Sequence, residues 1–309
     1  MHDILSHIAD ALQVTGSGQI IFNDRPLLNF MAFGSHSPEE DKALLQQQLT
    51  RLLYEQFYRF HAPKDEEDRC FLEELKKNNL SRNRIRKGYT LEITQEVPYT
   101  ASRGSHRLKL EPGMYLLPGG KKTGDEAWVY FPKERVEETF YYAYSAAPVA
   151  FFHEAVLRFY FNTGIAGSLR LMNYLTGSLN RARVPFVIKC VYETRHIHRT
   201  DPFVLYTDYR FLGPVCALIR SLPDDVFPYP SVPLFTRVLR PGVGFAENPY
   251  DPELSFGMSR CTLLAEALMQ PPAPGKDRLQ ILTDFLENRG YNIPHFFLNP
   301  GSSLIYPFL

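Results

Sequence analysis

The chain has 309 residues, with 34 basic and 34 acidic side chains and therefore a formal net charge of zero. This balance gives no overall field that favours nucleic acid or an anionic membrane, so any anion-binding site must be local. The four cysteines are widely spaced and form no CxxC pair, which argues against a zinc site or a disulfide scaffold and predicts a reducing, cytoplasmic location. No apolar run approaches the length that spans a membrane.

Residues 1–80 are predicted to form an N-terminal helical lobe, packed on an α+β domain of residues 81–309; one continuous domain is the alternative. Ser37 has the features of a helix N-cap, because a proline and three acidic residues follow it. Apolar residues then recur at helical spacing from Leu45 to Phe60. The charge-rich residues 61–80 offer little to bury, so we expect them to be poorly ordered.

After the helical lobe the hydrophobic period changes to two, which is typical of half-buried strands. The clearest alternation covers 89–97, and short strands are predicted near 106–110, 113–117 and 127–131. Further strands and helices follow without strict alternation. This pattern predicts an α+β fold, with a mixed or antiparallel sheet at the core and helices packed on it. The helices predicted in this part include 167–179, 212–222 and 276–288.

A lysine inside an apolar run is the most informative candidate for function. Pro185–Tyr192 and Phe203–Tyr206 are predicted to be two apolar strands, joined by a turn rich in arginine, histidine and aspartate. Lys189 interrupts the first strand, where burial of an unpaired ammonium group would lower its pKa or require a partner. A lysine with a lowered pKa beside arginines suits the role of a general base next to an anion-binding pocket.

Several arginines lie next to aromatic residues or glycine, in a pattern that suits the binding of an anion. Arg260 is at a predicted helix start, where a cation is unfavourable unless an anion or an acid is nearby. The alternative is that these arginines pair with acidic side chains and are structural. The candidate anion-binding residues are Arg158, Arg199, Arg237, Arg240 and Arg260.

The common catalytic motifs are absent from the sequence. It has no phosphate-binding glycine-rich loop with Lys-Ser/Thr, no GxSxG and no HExxH. His196 and His198 are two residues apart on a predicted turn, but no further ligand cluster accompanies them. We therefore predict no metal site.

Six short segments instead occur in a characteristic order along the chain. They are Leu52–Tyr58, Arg158–Asn162, Pro185–Lys189, Arg199–Tyr206, Pro233–Arg237 and Ser255–Arg260. Together they resemble the type III effector family of the Hop A class, over about residues 45–270. That family includes a plant-pathogen effector and standalone bacterial proteins, some of which are the lyase component of class V lanthipeptide and thioamitide biosynthesis.

The resemblance implies a lyase that removes phosphate from phosphoserine or phosphothreonine of a ribosomal precursor peptide, leaving dehydroalanine or dehydrobutyrine. It implies a precursor peptide and a kinase-like partner protein, with no nucleic acid, no membrane, no metal and no other cofactor. The chemistry needs a base for the Cα proton, cations for the phosphate and an acid for the leaving oxygen. The alternative is an effector or peptide-binding interaction protein without catalytic activity.

We expect the residues for this chemistry to converge on one pocket. Lys189 is the predicted base, and Asp201 and Tyr206 of the motifs are predicted to be catalytic as well. His106 is the favoured acid because of the polar turn around it, and Asn162 is predicted to bind phosphate together with the arginines. The remaining candidates for the acid are His153, His196 and His198. At least four of the six predicted cations, Lys189 and the five arginines, should line this pocket.

Overall fold

The structure is a computed structural model, and it describes residues 1–15, 18–27, 37–59, 64–93, 99–104, 106–110, 115–147, 156–251 and 253–306. Within these ranges it contains seven α-helices and fifteen strands. Neighbouring strands pair antiparallel in all three sheets. The predicted α+β fold class is confirmed.

The helices follow the predicted pattern closely. Ser37 caps the second helix, since its hydroxyl accepts a hydrogen bond from the Glu40 amide while the Glu40 carboxylate accepts one from the Ser37 amide. A single π-helical turn, Tyr54–Tyr58, continues this helix. The α-helices are α1 His2–Ala11, α2 Pro38–Leu53, α3 Leu72–Asn78, α4 Ile165–Arg181, α5 Leu212–Ser221, α6 Phe256–Leu268 and α7 Arg278–Asn288. The predictions for 167–179, 212–222 and 276–288 are confirmed as α4, α5 and α7.

The strands form three separate sheets. The three-stranded sheet has the spatial order β1 Leu12–Val14, β2 Ile20–Phe22 and β3 Arg25–Pro26. The five-stranded sheet has the order β6 His106–Leu110, β5 Tyr99–Arg103, β4 Arg84–Ile93, β8 Glu126–Phe131 and β7 Tyr115–Leu116. The seven-stranded sheet has the order β14 Arg237–Arg240, β15 Val243–Glu247, β11 Val156–Phe161, β13 Phe203–Asp208, β12 Phe186–Val191, β10 Phe140–Tyr144 and β9 Glu134–Glu137.

The sequence predicted the presence of these strands more accurately than their first and last residues. The strands expected near 106–110 and 127–131 are confirmed as β6 and β8. The alternating stretch 89–97 belongs to β4, which begins earlier, at Arg84, because the basic residues before Gly88 also pair with β8. Residues 94–98 of that prediction lie outside the described residues, as do 111–114 next to β7.

The seven-stranded sheet separates two layers of helices. Alternate residues of β12 point to opposite faces, so Ile188 and Cys190 are fully buried on the face covered by α4, whereas Lys189 points to the other face. α5 packs beside α4 on the first face. On the other face lie α1, α2, α6 and α7, which contact one another. The apolar run around Lys189 is therefore explained by burial on the α4 face.

The N-terminal helices share the main core with the seven-stranded sheet. Buried residues of α1 and α2, such as Leu5 and Leu49, belong to the same hydrophobic cluster as Phe159 and Leu205 of the sheet. The five-stranded sheet has a separate small cluster that includes Tyr89. The proposed division of the chain at residue 80 stays a prediction.

The expectation that residues 61–80 are poorly ordered is wrong for 64–80, and 60–63 lie outside the described residues. Phe71 and Leu75 are fully buried in the main core. The backbone is also held, because the Phe71 amide donates to the Tyr192 carbonyl and the Thr194 amide donates to the Arg69 carbonyl. Two large apolar side chains thus anchor a segment whose overall composition is highly charged.

Candidate functional site

A small pocket lies on the α2–α6 side of the seven-stranded sheet, near its centre. It encloses about 170 Å³ and is lined by Arg158 of β11, Lys189 of β12, Tyr206 of β13, and Arg199 and Asp201 from the connection between β12 and β13. Three basic and one acidic lining residues leave a formal charge of +2, which suits an anion. The volume is below the roughly 300 Å³ of the smallest typical small-molecule pockets. The pocket therefore suits a side chain or a phosphoryl group better than a whole cofactor.

The antiparallel register brings these residues together. Arg158 lies directly opposite Tyr206 on the neighbouring strand, and Lys189 lies opposite Val204, two residues before Tyr206. Residues two apart on a strand share a face, so the three side chains form adjacent rows on one surface. The connection that follows β12 then returns over this surface and supplies Arg199. Rigid strand positions thus hold two of the three cations.

Lys189 has the environment of a lysine base. Its side chain is half-buried, and its Nζ lies 3.8 Å from the centroid of the Phe140 ring. It makes no hydrogen bond or ion pair within the described residues. Burial lowers the pKa of Lys189, and the positive charge of Arg199 lowers this pKa further, while Asp201 opposes both effects. A larger fraction of Lys189 is therefore neutral at a given pH than of an exposed lysine.

Arg199 is held in place by Asp201. Its Nε and Nη2 groups both donate to the Asp201 carboxylate, and Nη2 also donates to the Tyr54 hydroxyl at 3.3 Å. Both side chains of the ion pair are largely buried, with exposed fractions of 11% and 9%. A guanidinium group has five N–H donors, so the two on Nη1 remain for a ligand. Asp201, predicted to be catalytic, lies in the pocket as the residue that orients Arg199.

Arg158 is fixed in a similar way by neutral partners. Its Nε donates to the Asn248 side-chain oxygen at 2.7 Å, and its guanidinium carbon lies 5.2 Å from the centroid of the Tyr206 ring. Arg158 is 7% exposed, and no carboxylate of the described residues forms an ion pair with it. Its charge is therefore available to an anion in the pocket.

Four tyrosines line the pocket, namely Tyr54, Tyr58, Tyr160 and Tyr206. Tyr206 is half-buried beside Arg158. The Tyr160 hydroxyl is buried and makes no hydrogen bond of good geometry within the described residues. Burial raises the pKa of Tyr160, which keeps this hydroxyl protonated. Each phenol hydroxyl can donate a hydrogen bond to an anionic oxygen.

Three of the six predicted cations lie elsewhere, so three line the pocket, whereas at least four were expected. Arg237 and Arg240 line a different pocket beside α5. Arg240 is also committed to local partners, because it donates to the carbonyls of Ile219 and Leu222 and pairs with Asp224. Both arginines belong to the edge strand β14, which is two strands from β11.

Arg260 does not line the pocket, and its guanidinium group has backbone partners instead. It is fully buried in α6, where Nε donates to the Phe296 carbonyl at 3.0 Å and Nη2 donates to the Leu298 carbonyl at 2.8 Å. Its guanidinium also lies against the rings of Phe256 and Tyr291. These backbone carbonyls thus stabilise the positive charge of Arg260, for which an anion or an acid was expected at the helix start.

Asn162 also lies outside the pocket, and its side chain is hydrogen-bonded to Ser231. Its side-chain nitrogen donates to the carbonyl and the hydroxyl of Ser231, each at 2.9 Å. The residue is fully buried, and it is not among the residues that line the pocket. Asn162 therefore fixes the loop before β14 to the end of β11.

None of the histidines in the described part of the chain is among the residues that line the pocket. His106 begins β6, an outer strand of the five-stranded sheet, and so lies in a different sheet from Lys189; its side chain and all of His153 lie outside the described residues. His196 faces Glu193, and burial, followed by the charge of Arg195, lowers its pKa. The His198 Nδ1 accepts a hydrogen bond from the Lys64 amide. Tyr206 is the predicted catalytic residue that remains as a donor in the pocket.

Lys64 is a buried cation that the sequence analysis missed. It is 5% exposed, and its Nζ donates to the carbonyls of Ile197, Thr163 and Arg199 at 2.7, 3.1 and 3.0 Å. Burial lowers the pKa of Lys64 to about 7, while Asp201 and Glu66 oppose this shift. Three carbonyls match the three donors of an ammonium group. Lys64 therefore fastens the backbone that carries Arg199.

Lys64→Met is expected to lower the free energy of unfolding by about 3 kcal/mol, because buried carbonyls lose their donor. Urea unfolding monitored by circular dichroism measures this change. Lys77→Met in α3, where the lysine is exposed, is the matched control and should change stability by less than about 0.5 kcal/mol. Equal stability of the two variants would show that the Lys64 contacts contribute nothing.

Three of the four cysteines are hidden. Cys190, Cys216 and Cys261 are buried, whereas Cys70 is exposed. Burial raises the pKa of the Cys216 thiol to about 11 and raises those of Cys190 and Cys261 as well.

In the part of the chain that the structure describes, no group of three or more histidine, cysteine, aspartate or glutamate residues could hold a metal ion. None of the described helices is long and apolar enough to cross a membrane.

The fold and the pocket together define an α+β protein with a small basic cavity at the centre of an antiparallel sheet. Comparison with known protein families identifies the family of this chain. The model of the HopA1 effector protein family matches residues 131–298, more than half of the chain, and the chain belongs to this family. The resemblance predicted from the sequence is thereby confirmed at the level of the family.

Two solved structures are similar to this chain. The effector protein from Pseudomonas syringae pv. tomato strain DC3000 has 18% identity and a TM-score of 0.45, and the match covers 87% of this chain and 92% of that one. The effector protein from Pseudomonas syringae pv. syringae strain 61 has 15% identity and a TM-score of 0.46, with 83% and 96% covered. No curated protein matches the chain.

Proposed function

We propose that the pocket eliminates phosphate from phosphoserine or phosphothreonine in a peptide. The observation that carries this proposal is the placement of Lys189, whose pKa is lowered, beside the guanidinium groups of Arg158 and Arg199 in one small cavity. A base and a phosphate-binding pair of arginines are two of the three elements that this elimination uses. The formal charge of the lining residues also favours a dianionic phosphate group over a neutral side chain.

The proposed reaction breaks two bonds and forms one double bond in the substrate. Lys189 takes the proton from Cα, and the C–H electron pair becomes the second bond between Cα and Cβ. The bond between Cβ and the phosphate oxygen breaks, and its electron pair leaves with the phosphate. Arg158 and Arg199 stabilise the charge that develops on the leaving group. Tyr206 donates a hydrogen bond to the leaving oxygen.

The proposed substrate defines the partners. A phosphorylated residue must be supplied by a kinase-like partner protein, and a ribosomal precursor peptide of lanthipeptide or thioamitide type is the proposed carrier of that residue. The products are inorganic phosphate and a dehydroalanine or dehydrobutyrine residue. Water and oxidants take no part in this step, so the substrate carbon skeleton changes neither its length nor its overall redox state.

Synthetic peptides that carry one phosphoserine or one phosphothreonine test the proposal. Incubation with the protein should remove phosphoric acid from the peptide, and a thiol should then add to the new alkene; mass spectrometry detects both changes. Unphosphorylated peptides of the same sequence are the control. Binding of the phosphopeptides without any elimination would instead favour the effector or peptide-binding alternative.

The rate of elimination should rise with pH, and the midpoint of this rise should lie below the ordinary pKa of lysine, roughly 10.4. The neutral form of Lys189 is the active base, and burial together with Arg199 favours that form. The measurement is kcat/KM against pH with a fixed phosphopeptide. A rate that falls as pH rises through this range would contradict the assignment of Lys189 as the base.

A further inference from the structure

The strand β14 forms an open edge of the seven-stranded sheet. It pairs with β15 on one side, and no described strand or described backbone group pairs with it on the other. The Val238 side chain on this strand is 54% exposed. An unpaired edge presents a row of amide and carbonyl groups that an extended chain can bind.

Two pockets flank this edge. One encloses about 210 Å³ and is formed by β14 with α5, including Cys216 and Ile219. The other encloses about 350 Å³ and is formed by β14 with apolar residues that include Ile4, Leu234 and Phe297. Arg237 and Val238 line both pockets, and because these residues are adjacent on β14, their side chains point to opposite faces of the sheet.

The pocket beside α5 is basic. Arg220, Arg237 and Arg240 line it, and no acidic residue is among its described lining. Arg240 is committed to Asp224 and two carbonyls. Arg220 and Arg237 are exposed and make no hydrogen bond or ion pair within the described residues. Their charges favour an acidic side chain as the occupant of this pocket.

The opposite edge of the same sheet lacks these features. There, β9 carries Glu134 and Glu137, and Arg135 is paired with Glu137 at 2.5 Å. The acidic side chains of β9 would repel an acidic peptide, whereas the charged side chains of β14 are both basic. An acidic peptide is therefore favoured at β14 and disfavoured at β9.

We propose that β14 binds an extended acidic peptide as an eighth strand of the sheet. Successive side chains of such a strand point to opposite faces. Acidic side chains of the peptide enter the pocket of Arg220 and Arg237, and the apolar side chains between them enter the pocket beside Ile4. This site recognises peptide through its backbone and an alternating acidic–apolar pattern, and it requires no phosphorylated residue.

The test is the binding of fluorescent synthetic hexapeptides in which aspartate alternates with valine, measured by fluorescence anisotropy. The same peptide with lysine in place of aspartate should bind at least about 10-fold more weakly. Two further peptides carry backbone N-methyl groups, one on the odd amides and one on the even amides. Only amides that face β14 are needed, so one of these two peptides should lose binding and the other should keep it.

Variants of the protein locate the site. Arg220→Glu with Arg237→Glu, and separately Val238→Asp, should each weaken binding at least about 10-fold through charge repulsion. Val136→Asp on β9 is the matched control, because Val136 is 42% exposed on the opposite edge strand, and it should leave binding unchanged. All of these substitutions are on exposed side chains, and thermal melting verifies that the variants are folded.

Several results would overturn the proposal. They are equal binding of the lysine peptide, equal binding of both N-methylated peptides, no binding of the aspartate peptide, and an equal effect of Val136→Asp and Val238→Asp. None of these peptides carries phosphate, so the outcome is independent of the elimination reaction. A protein that binds the aspartate peptide but eliminates no phosphate would retain this inference and refute the proposed lyase activity.

Discussion

Lys189→Met is expected to reduce the elimination rate by about 100- to 10,000-fold, the range that a positioned general base contributes. Methionine fills a similar volume but cannot take the Cα proton. Phosphopeptide binding should change little, because Arg158 and Arg199 remain. Lys189→Arg should also be inactive, since a guanidinium group stays protonated and cannot act as a base. Single-turnover elimination and phosphopeptide titration measure the two effects separately.

The control for this prediction is Lys109→Met, which removes an exposed lysine from a strand of the five-stranded sheet. It should leave elimination at the level of the unmodified protein. Full activity of Lys189→Met would exclude Lys189 as the base and leave the pocket as an anion-binding site only.

Arg158→Met and Arg199→Met are each expected to weaken phosphopeptide binding and slow elimination together, by about 10- to 1000-fold. Both guanidinium groups contact the ground-state phosphate and the leaving phosphate in the proposed reaction, so KM and kcat change in the same variant. Arg199→Met also removes a positive charge that lowers the pKa of Lys189. The pH profile of this variant should therefore move to higher pH, whereas a purely structural loss would leave its midpoint unchanged.

Arg195→Met is the matched control for Arg199→Met. Arg195 lies in the same connection between β12 and β13, is 67% exposed and pairs with Glu193. Its replacement should alter neither binding nor rate. Equal losses in Arg195→Met and Arg199→Met would mean that the connection, rather than the Arg199 charge, determines activity.

The sequence predicted the part of the site that local patterns define. A charged residue in an alternating apolar strand must point to the opposite face from its neighbours, which is why Lys189 could be assigned from its flanks. Arg199 and Asp201 follow in the next turn, so a short hairpin brings them back to the same surface. Arg158 was selected from its aromatic neighbours, but its place beside Lys189 depends on the pairing of β13 with both β11 and β12, which is not visible in local sequence.

The sequence failed where the partner is distant backbone. Lys64 lies in a run of charges that resembles an exposed segment, and the three carbonyls that accept its hydrogen bonds are about 100 residues or more away in the chain. The sequence predicted an anion as the partner of Arg260. Its partners are instead carbonyls 36 and 38 residues later in the chain, which local sequence does not reveal. Every residue has a backbone carbonyl, so neither composition nor spacing shows which carbonyls accept these hydrogen bonds.

If the product is a dehydroamino acid, the burial of three thiols protects them from reaction with this product. Such a product is an electrophile, and any accessible thiolate near it forms a covalent thioether. Cys190, Cys216 and Cys261 are shielded from this self-alkylation by the core, whereas Cys70 is exposed. If the proposed elimination takes place, product that accumulates should attach to the protein at Cys70, and the intact mass of the protein should grow by one peptide per chain.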